Sequence, residues 1–528
     1  MTRYQVLQIF RRLSQLGFLC CFLFLFLKTD YSGSDTLDYA VNILFRIDPF
    51  LALVTALAAK TFLLLMLPSL VVLVGTFFLG RSFCGWVCPL GTLLDGVDRI
   101  WSTPGRSGTT LYPKLPHFLL LFFLSLAFFG FHIGGYLDPF SILVRGLVLA
   151  LYPAFNAVTE AFFGFTYSSA PPVVNAVTEP VYGLLQQTVL PADQKFFELG
   201  WLSLLILTVV LGLEKVQKRF FCRNICPVGA LLAQMSRYGL MKLSGGDATC
   251  GKCRICSSQC RMGAIDKERV VDMGSCNLCM QCAVICPKER IGFSPGLGKN
   301  RVSSSHGLTR RQLLTIGAAS IVLPGVRRSH VLAAVENPLL IRPPGALPEE
   351  DFLGRCIRCG ECMQVCIGNA LQPVLLEGGL HGIFSPKVVS RTGYCEYNCT
   401  LCGQVCPTGA LQILTRQQKQ QWKIGNAWID RSICLPYSDG IPCMVCEEHC
   451  PTGEKAIRFH HRRVLNRDGR EVEVKQPYVV NELCIGCGIC ENKCPLPGRA
   501  AIYLTSGGER RNPSKKLPEP EKDSYGYG

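Results

Sequence analysis

Hydrophobic positions crowd the first 215 residues of the chain and thin out beyond them. Four runs there, residues 13–27, 61–80, 117–137 and 196–213, predict membrane-spanning helices, which take about 20 apolar residues. The first is short and follows Arg11 and Arg12. No small-residue cleavage site comes just after it, so it reads as an anchor rather than a signal peptide. A fifth run, residues 142–165, carries Arg145, Pro153 and Glu160.

Charge decides how these runs are used. With four spans, Arg3, Arg11, Arg12, Arg81, Arg99, Arg106, Lys114, Lys215, Lys218, Arg219 and Arg223 share one side. The other side holds Lys28, Arg46, Arg145 and Lys195. Basic residues collect on the cytoplasmic face of an inner membrane, which assigns the first side to the cytoplasm. One more span would carry the last basic cluster outside. Residues 138–195 are therefore expected on the periplasmic side, with 142–165 as an interfacial or re-entrant helix.

Length and composition narrow the classes further. A chain of 528 residues allows about three or four units. With 49% apolar and 17% charged residues, disorder is excluded for most of it. The net charge of +16 lies largely beside the apolar runs and forms no single basic stripe, so nucleic acid is not an expected partner.

Thirty cysteines carry the chemistry, and 24 of them fall into six quartets. Cys250, Cys253, Cys256 and Cys260 are spaced C-x2-C-x2-C-x3-C, as are Cys276, Cys279, Cys282 and Cys286. Cys356, Cys359, Cys362 and Cys366 repeat the spacing, and Cys395, Cys399, Cys402 and Cys406 add one residue to the first gap. Cys434, Cys443, Cys446 and Cys450 have a long first gap, and Cys484, Cys487, Cys490 and Cys494 are regular. Pro follows the second, fourth, fifth and sixth quartets.

This is the bacterial ferredoxin pattern: three close thiolates bind three irons of a cubane, and the fourth cysteine reaches the partner cluster. Structural zinc favours two C-x2-C pairs split by a longer loop. The quartets therefore predict six [4Fe–4S] clusters. Crosswise ligation in the first pair would place Cys286 with Cys250, Cys253 and Cys256, and Cys260 with Cys276, Cys279 and Cys282. For the last four quartets, sequential and nested pairing both fit the spacing.

The apolar half holds a repeat of its own. Arg81-Ser-Phe-Cys84-Gly-Trp-Val-Cys88-Pro-Leu-Gly91 is matched by Arg219-Phe-Phe-Cys222-Arg-Asn-Ile-Cys226-Pro-Val-Gly229. Thiols at i and i+4 share a helical face. Cys84, Cys88, Cys222 and Cys226 are therefore a candidate extra redox or metal site, against a null of structural thiols or reversible disulfides.

Between the halves, Thr309-Arg310-Arg311-Gln312-Leu313-Leu314 opens an apolar run over 313–326, followed by Arg327, Arg328 and residues 331–334. The run is too short to span comfortably. It resembles a twin-arginine export signal placed inside the chain, the kind that serves folded cargo. Residues 335–528 would then be periplasmic, tethered or cleaved near Ala334, while 243–292 stay cytoplasmic.

These motifs resemble a known pair. Residues 1–292 are similar to the NapH-type membrane protein, and residues 309–510 to the MauM/NapG type of export-signal ferredoxin. Here the two are fused. The expected architecture is an α-helical membrane domain with four transmembrane helices (1–242) plus α+β bacterial-ferredoxin-like cluster domains at 243–292 and 351–510. A linker (293–350) and a tail (511–528) complete it.

The resemblance implies a quinol dehydrogenase component of a bacterial inner membrane. It would oxidise quinol from the quinone pool and feed a periplasmic reductase, of the nitrate reductase type for example, or a c-type cytochrome. His132 and Asp138 are candidate proton acceptors for quinol. The alternative is an assembly or maturation factor that reduces a metal centre or disulfide of a client enzyme.

Overall fold

The computed structural model describes residues 2–31, 33–37, 42–101, 110–169, 171–191, 193–244, 250, 253–266, 271–287, 290–295, 309–328, 337–513 and 515. Helix α1 (Arg3–Lys28) starts on a capping box between Thr2 and Gln5. Asp48 caps α2 (Pro49–Ala59), which is followed by α3 (Ser69–Leu79), α4 (Pro89–Trp101) and α5 (Leu115–Phe128). Asp138 caps α6 (Pro139–Gly146), which runs through a π turn (Leu147–Leu151) into α7 (Tyr152–Ser169). The half closes with α8 (Pro172–Thr188), α9 (Gly200–Gly212) and α10 (Pro227–Arg237).

The expected spans are shortened. Among the described residues, two helical rods are long and apolar enough to cross a membrane, Arg3–Lys28 and Pro139–Ser169. The run at 61–80 is interrupted at Pro68, which caps α3 and offers no N–H to a continuous helix. The run at 117–137 leaves the helix at Phe128, just before Gly130 turns left-handed at φ +81°.

Residues 142–165, expected as an interfacial or re-entrant helix, belong to a continuous rod. The π turn ahead of Pro153 absorbs the missing donor. Helix α8 packs back on α7, so the excursion is a hairpin. The parity argument against a crossing therefore does not apply, because a hairpin returns the chain to the end it left.

Contacts sort the bundle into two ends. At one end, Tyr4 packs on Phe293, Trp86 donates to Leu278 O at 3.2 Å, and Ser236 donates to Met273 O at 2.8 Å. At the other, Gln364 donates to Phe26 O at 2.7 Å, Asn42 to Val405 O at 3.1 Å, and Tyr136 to Leu380 O at 3.0 Å. Helix α1, the α2–α3 segment, α5 and α9 each connect these ends. The outward faces are apolar: Phe18, Val71, Phe78, Phe128, Phe162, Leu205 and Val209 are all exposed.

The first small domain is closed by antiparallel β1 (Met241–Ser244) and β2 (Gly292–Pro295), slightly wider than 243–292. Residues 310–328, read as an export signal, form an unbroken helix α11 (Arg310–Arg328) packed on α5. At 1.5 Å per residue its 19 residues reach about 28 Å. The proposed cleavage stretch at 331–334 lies outside the described residues.

The second domain begins well inside the expected linker. Arg342 is buried and bonded to Glu349 at the head of α12 (Glu349–Arg355), to Ser385 and to Pro386 O. Short sheets follow: β3 (Leu371–Pro373) with β4 (Pro386–Val388), β5 (Asn426–Ile429) with β8 (Ile502–Thr505), and β6 (Ile457–Leu465) with β7 (Glu471–Val479). The expected tail also starts late. Arg511 bonds Glu349 and Glu509 at 2.9 Å, and Glu509 is buried. One hydrophobic core runs from Phe50 and Phe140 into Ile357, Met363 and Phe384, so this domain is packed onto the bundle.

Candidate electron-transfer centres

The cysteines gather in fours, and the grouping is crosswise. Cys356, Cys359 and Cys362 line a cavity with Cys406 from the next quartet. Cys366 in return faces Cys395, Cys399 and Cys402. Cys434, Cys443 and Cys446 share a cavity with Cys494. Cys484, Cys487 and Cys490 share one with Cys450. Pairing is thus sequential, third quartet with fourth and fifth with sixth.

In the first domain Cys260 lines a cavity with Cys276, Cys279 and Cys282. Cys256 faces Cys253 and Cys286, and Cys250 starts the turn into Cys253.

The cavities suit a cluster better than one ion. A single tetrahedral zinc with bonds near 2.3 Å would draw its sulfurs to roughly 3.8 Å from each other. Among the described residues, no three His, Cys, Asp or Glu side chains converge that way. Backbone N–H groups point at the sulfurs instead: Leu411 N lies 3.5 Å from Cys406 Sγ, and Ala264 N 3.3 Å from Cys260 Sγ. Arg358, Glu361 and Ile489 donate similarly to Cys356, Cys359 and Cys487. Such bonds tune cluster potential.

The loops share one backbone shape. Residues Leu278 and Met280, Arg358 and Gly360, and Gly486 and Gly488 all have positive φ at matching places in their quartets. Glycine takes that shape freely, while Leu278, Met280 and Arg358 hold it at a cost of order 1–2 kcal/mol each. At Gly486 a Cβ would sit 2.7 Å from the Gly425 backbone, so the space also demands glycine.

The two sequential pairs touch. Cys395 N donates to Cys487 O at 2.9 Å. This joins the Cys366-containing group to the Cys450-containing group. The second domain meets the bundle beside the Cys356-containing group, where a Cβ on Gly135 would sit 1.9 Å from Ile357 O, and beside the Cys366-containing group, where Lys195 acts on Cys366.

The repeated C-x3-C-P segments also meet. Cys88 and Cys226 each feel Cys84 and Cys222, so the four thiols form one group. Each repeat's arginine reaches the other repeat. Arg81 donates to Cys222 O at 3.2 Å, and Arg219 to Cys84 O at 2.9 Å. The glycine after each Pro makes room: a Cβ on Gly229 would lie 2.1 Å from Arg81 Nη2, and one on Gly91 2.9 Å from Cys84 O. Asp95 anchors the arrangement with Arg11 at 2.6 Å, Arg219 at 2.8 Å and Arg261 of the first domain at 3.2 Å. Burial alone would raise its carboxyl, but these guanidinium groups hold it well below the usual range. Arg81 also donates to Gly274 O at 3.4 Å, linking the thiols to the loop that leads to Cys276.

His132 and Asp138 are both fully buried between the bundle and the second domain. Arg358 donates to His132 Nδ1 at 3.3 Å, which leaves Nε2 to donate to Thr55 Oγ1 at 3.1 Å. Sequence reasoning missed three partners here: Arg358, Arg145, which donates to the Gly135 and Arg358 carbonyls, and Asp48. A signal for Asp48 was present, since Ile47-Asp48-Pro49-Phe50 is echoed by Leu137-Asp138-Pro139-Phe140.

Comparison with known proteins fits this geometry. A model described as a 4Fe-4S binding domain matches residues 61–104, 199–244 and 402–425, the first two spanning the C-x3-C-P repeats. A 4Fe-4S dicluster model matches 355–410, and a further 4Fe-4S binding model 477–496. The methylamine utilization ferredoxin-type protein MauM of Methylorubrum extorquens is 35% identical over 220 residues, 39% of this chain and 95% of the relative. The chain belongs to the MauM/NapG ferredoxin-type family. The ferredoxin-type protein NapG of Escherichia coli is 35% identical over 166 residues, 31% of this chain and 70% of its own length. No solved structure matches the chain. The family likeness lies in the C-terminal part and gives an iron–sulfur protein of electron transfer.

Proposed function

We propose that the chain is a membrane quinol dehydrogenase component that carries electrons to a periplasmic reductase or c-type cytochrome. The observation that carries this is the distribution of the cysteine groups. Two lie at one end of an apolar-faced bundle, four lie at the other, and the C-x3-C-P group lies within the bundle next to the first two. Quinol, a two-electron donor dissolved in the bilayer, would meet the bundle, and its electrons would leave through one-electron centres. The 24 quartet cysteines hold six [4Fe–4S] clusters in this reading, and Cys84, Cys88, Cys222 and Cys226 hold a seventh iron–sulfur centre.

The bundle crosses the inner membrane through α1, α2–α3, α5 and α9, like the NapH type. Helix α11 serves as a retained tether of near-membrane length, about 28 Å against a hydrocarbon core of about 30 Å. The first domain is cytoplasmic and residues 337–513 periplasmic. Burial of Cys84, Cys88 and Cys226 speaks against thiol chemistry on a client at those three, while Cys222 is partly exposed.

Protease applied to spheroplasts tests the sidedness. Digestion beyond residue 337 with 243–292 spared supports it, and equal protection of both regions refutes it. Quinol oxidation by the purified chain, followed by cluster bleaching, tests the donor.

A further inference from the structure

The bundle contains a second internal repeat at the end opposite the C-x3-C-P segments. In each copy an aspartate caps a helix that opens Pro-Phe. Asp48 Oδ1 accepts from Phe50 N at 2.8 Å and Leu51 N at 3.0 Å. Asp138 Oδ2 accepts from Ser141 N at 2.7 Å.

Among the described residues the other oxygen of each carboxyl, Asp48 Oδ2 and Asp138 Oδ1, has no hydrogen-bond partner within 3.5 Å; the Ser141 hydroxyl also lies against the Asp138 carboxyl, and the two aspartate side chains face one another. Both residues are 0% exposed. Among the described residues, neither aspartate has an ion-pair partner within 4 Å. Burial, and next the facing charge, push Asp48 well above the usual carboxylate range.

The surroundings offer little compensation for two charges. Arg145 on α6 is the cation that acts on Asp138, yet its Nη1 is spent on the Gly135 and Arg358 carbonyls and its plane lies over Phe384. Arg46, just before α2, faces Glu361. His132 and Arg358 bond one another, and Arg358 stacks on Tyr136.

We infer that Asp48 and Asp138 form a proton-binding pair that shares one proton between their facing oxygens. Two desolvated carboxylates in contact cannot both ionise, whereas a shared proton satisfies both orphan oxygens with one hydrogen bond. The helix N-termini favour the charge that remains. With one proton bound, the pair keeps a free position for a second. This deepens the quinol reading on which it rests. Quinol would release two electrons to the iron–sulfur centres and two protons, of which the pair would take up one at its free oxygen and the other would pass to bulk water.

The test is infrared difference spectroscopy on the intact chain in detergent near pH 7, comparing Asp48→Asn and Asp138→Asn with wild type. Asn caps a helix nearly as well as Asp, and its amide can donate to the facing carboxylate, so both variants should fold. Each single variant is expected to lose the same deuterium-sensitive protonated-carboxyl band, and the double variant no more than either. Glu361 and Glu214 are also raised by burial and set an unchanging background. A band absent from wild type, untouched by both variants, or lost in only one of them overturns the shared proton. Quinol turnover is read separately, with a loss of about 100-fold expected for general base removal. Loss of the band with turnover unchanged would keep the pair and refute its role in quinol oxidation.

Discussion

Substituting Gly229 by Ala should break the C-x3-C-P centre without touching a cysteine. The new Cβ would lie 2.1 Å from Arg81 Nη2 and 3.1 Å from its Cζ, with Cys222 O at 3.4 Å behind. Arg81 has no spare room: it is 5% exposed and held by Cys84 Sγ at 3.5 Å, Gly274 O at 3.4 Å and Cys222 O at 3.2 Å. Overpacking of this kind costs about 1–3 kcal/mol. Weakened hydrogen bonds from a charged donor add about 1.5 kcal/mol. A total near 3–4 kcal/mol lowers the population of the intact centre by roughly two to three orders of magnitude.

Gly96 on α4 is the control. A Cβ there meets nothing within 4 Å, so Gly96→Ala should stabilise the helix by about 0.5–1 kcal/mol. The assay is anaerobic iron and sulfide analysis, with the temperature at which the cluster absorbance bleaches. Gly229→Ala should carry less iron and bleach earlier, and Gly96→Ala should match wild type or exceed it. Equal iron and equal bleaching in the two variants would refute the packing argument.

Cys406→Ser should remove the cluster signal of the Cys356 group and leave that of the Cys395 group, as read by electron paramagnetic resonance; the reverse pattern would mean ligation within quartets. Lys195 bonds both the Asp30 carboxylate and Gln364 O, so Lys195→Ala strands a buried charge at a cost of about 3–5 kcal/mol. Hydrogen exchange around residue 364 should rise, and adding Asp30→Asn should bring it partly back. Glu349 is held down to about 2 because Arg342 and Arg511 overcome the effect of burial. Its stabilisation is therefore full above the unfolded value near 4.3 and fades as pH falls toward 2. The side chain is 37% exposed, so screening leaves about 1 kcal/mol, and Glu349→Gln should lower the bleaching temperature at pH 7 with a gap that closes in acid.

The quartets were legible in the sequence because a cubane needs three thiolates on one short loop, and that constraint is local. The C-x3-C-P repeat was legible because its two copies share one local spacing of cysteine, proline and glycine. Sequence also marked Asp138, though not its partner. What spacing left open was long-range. Sequential pairing of the last four quartets depends on β5 closing against β8 and on Cys395 meeting Cys487, contacts between residues more than 70 positions apart. The Asp48–Asp138 contact and the reciprocal arginines likewise exist only once two repeats pack face to face. Helix lengths were misjudged where one residue outweighs hydropathy, at Pro68 and Gly130. Residues 142–165 were left between an interfacial and a re-entrant helix because their neighbour α8, which turns the rod into a hairpin, is not readable from the segment itself. Local chemistry is written in spacing, whereas which groups share a site is set by packing, and packing is a property of the whole chain.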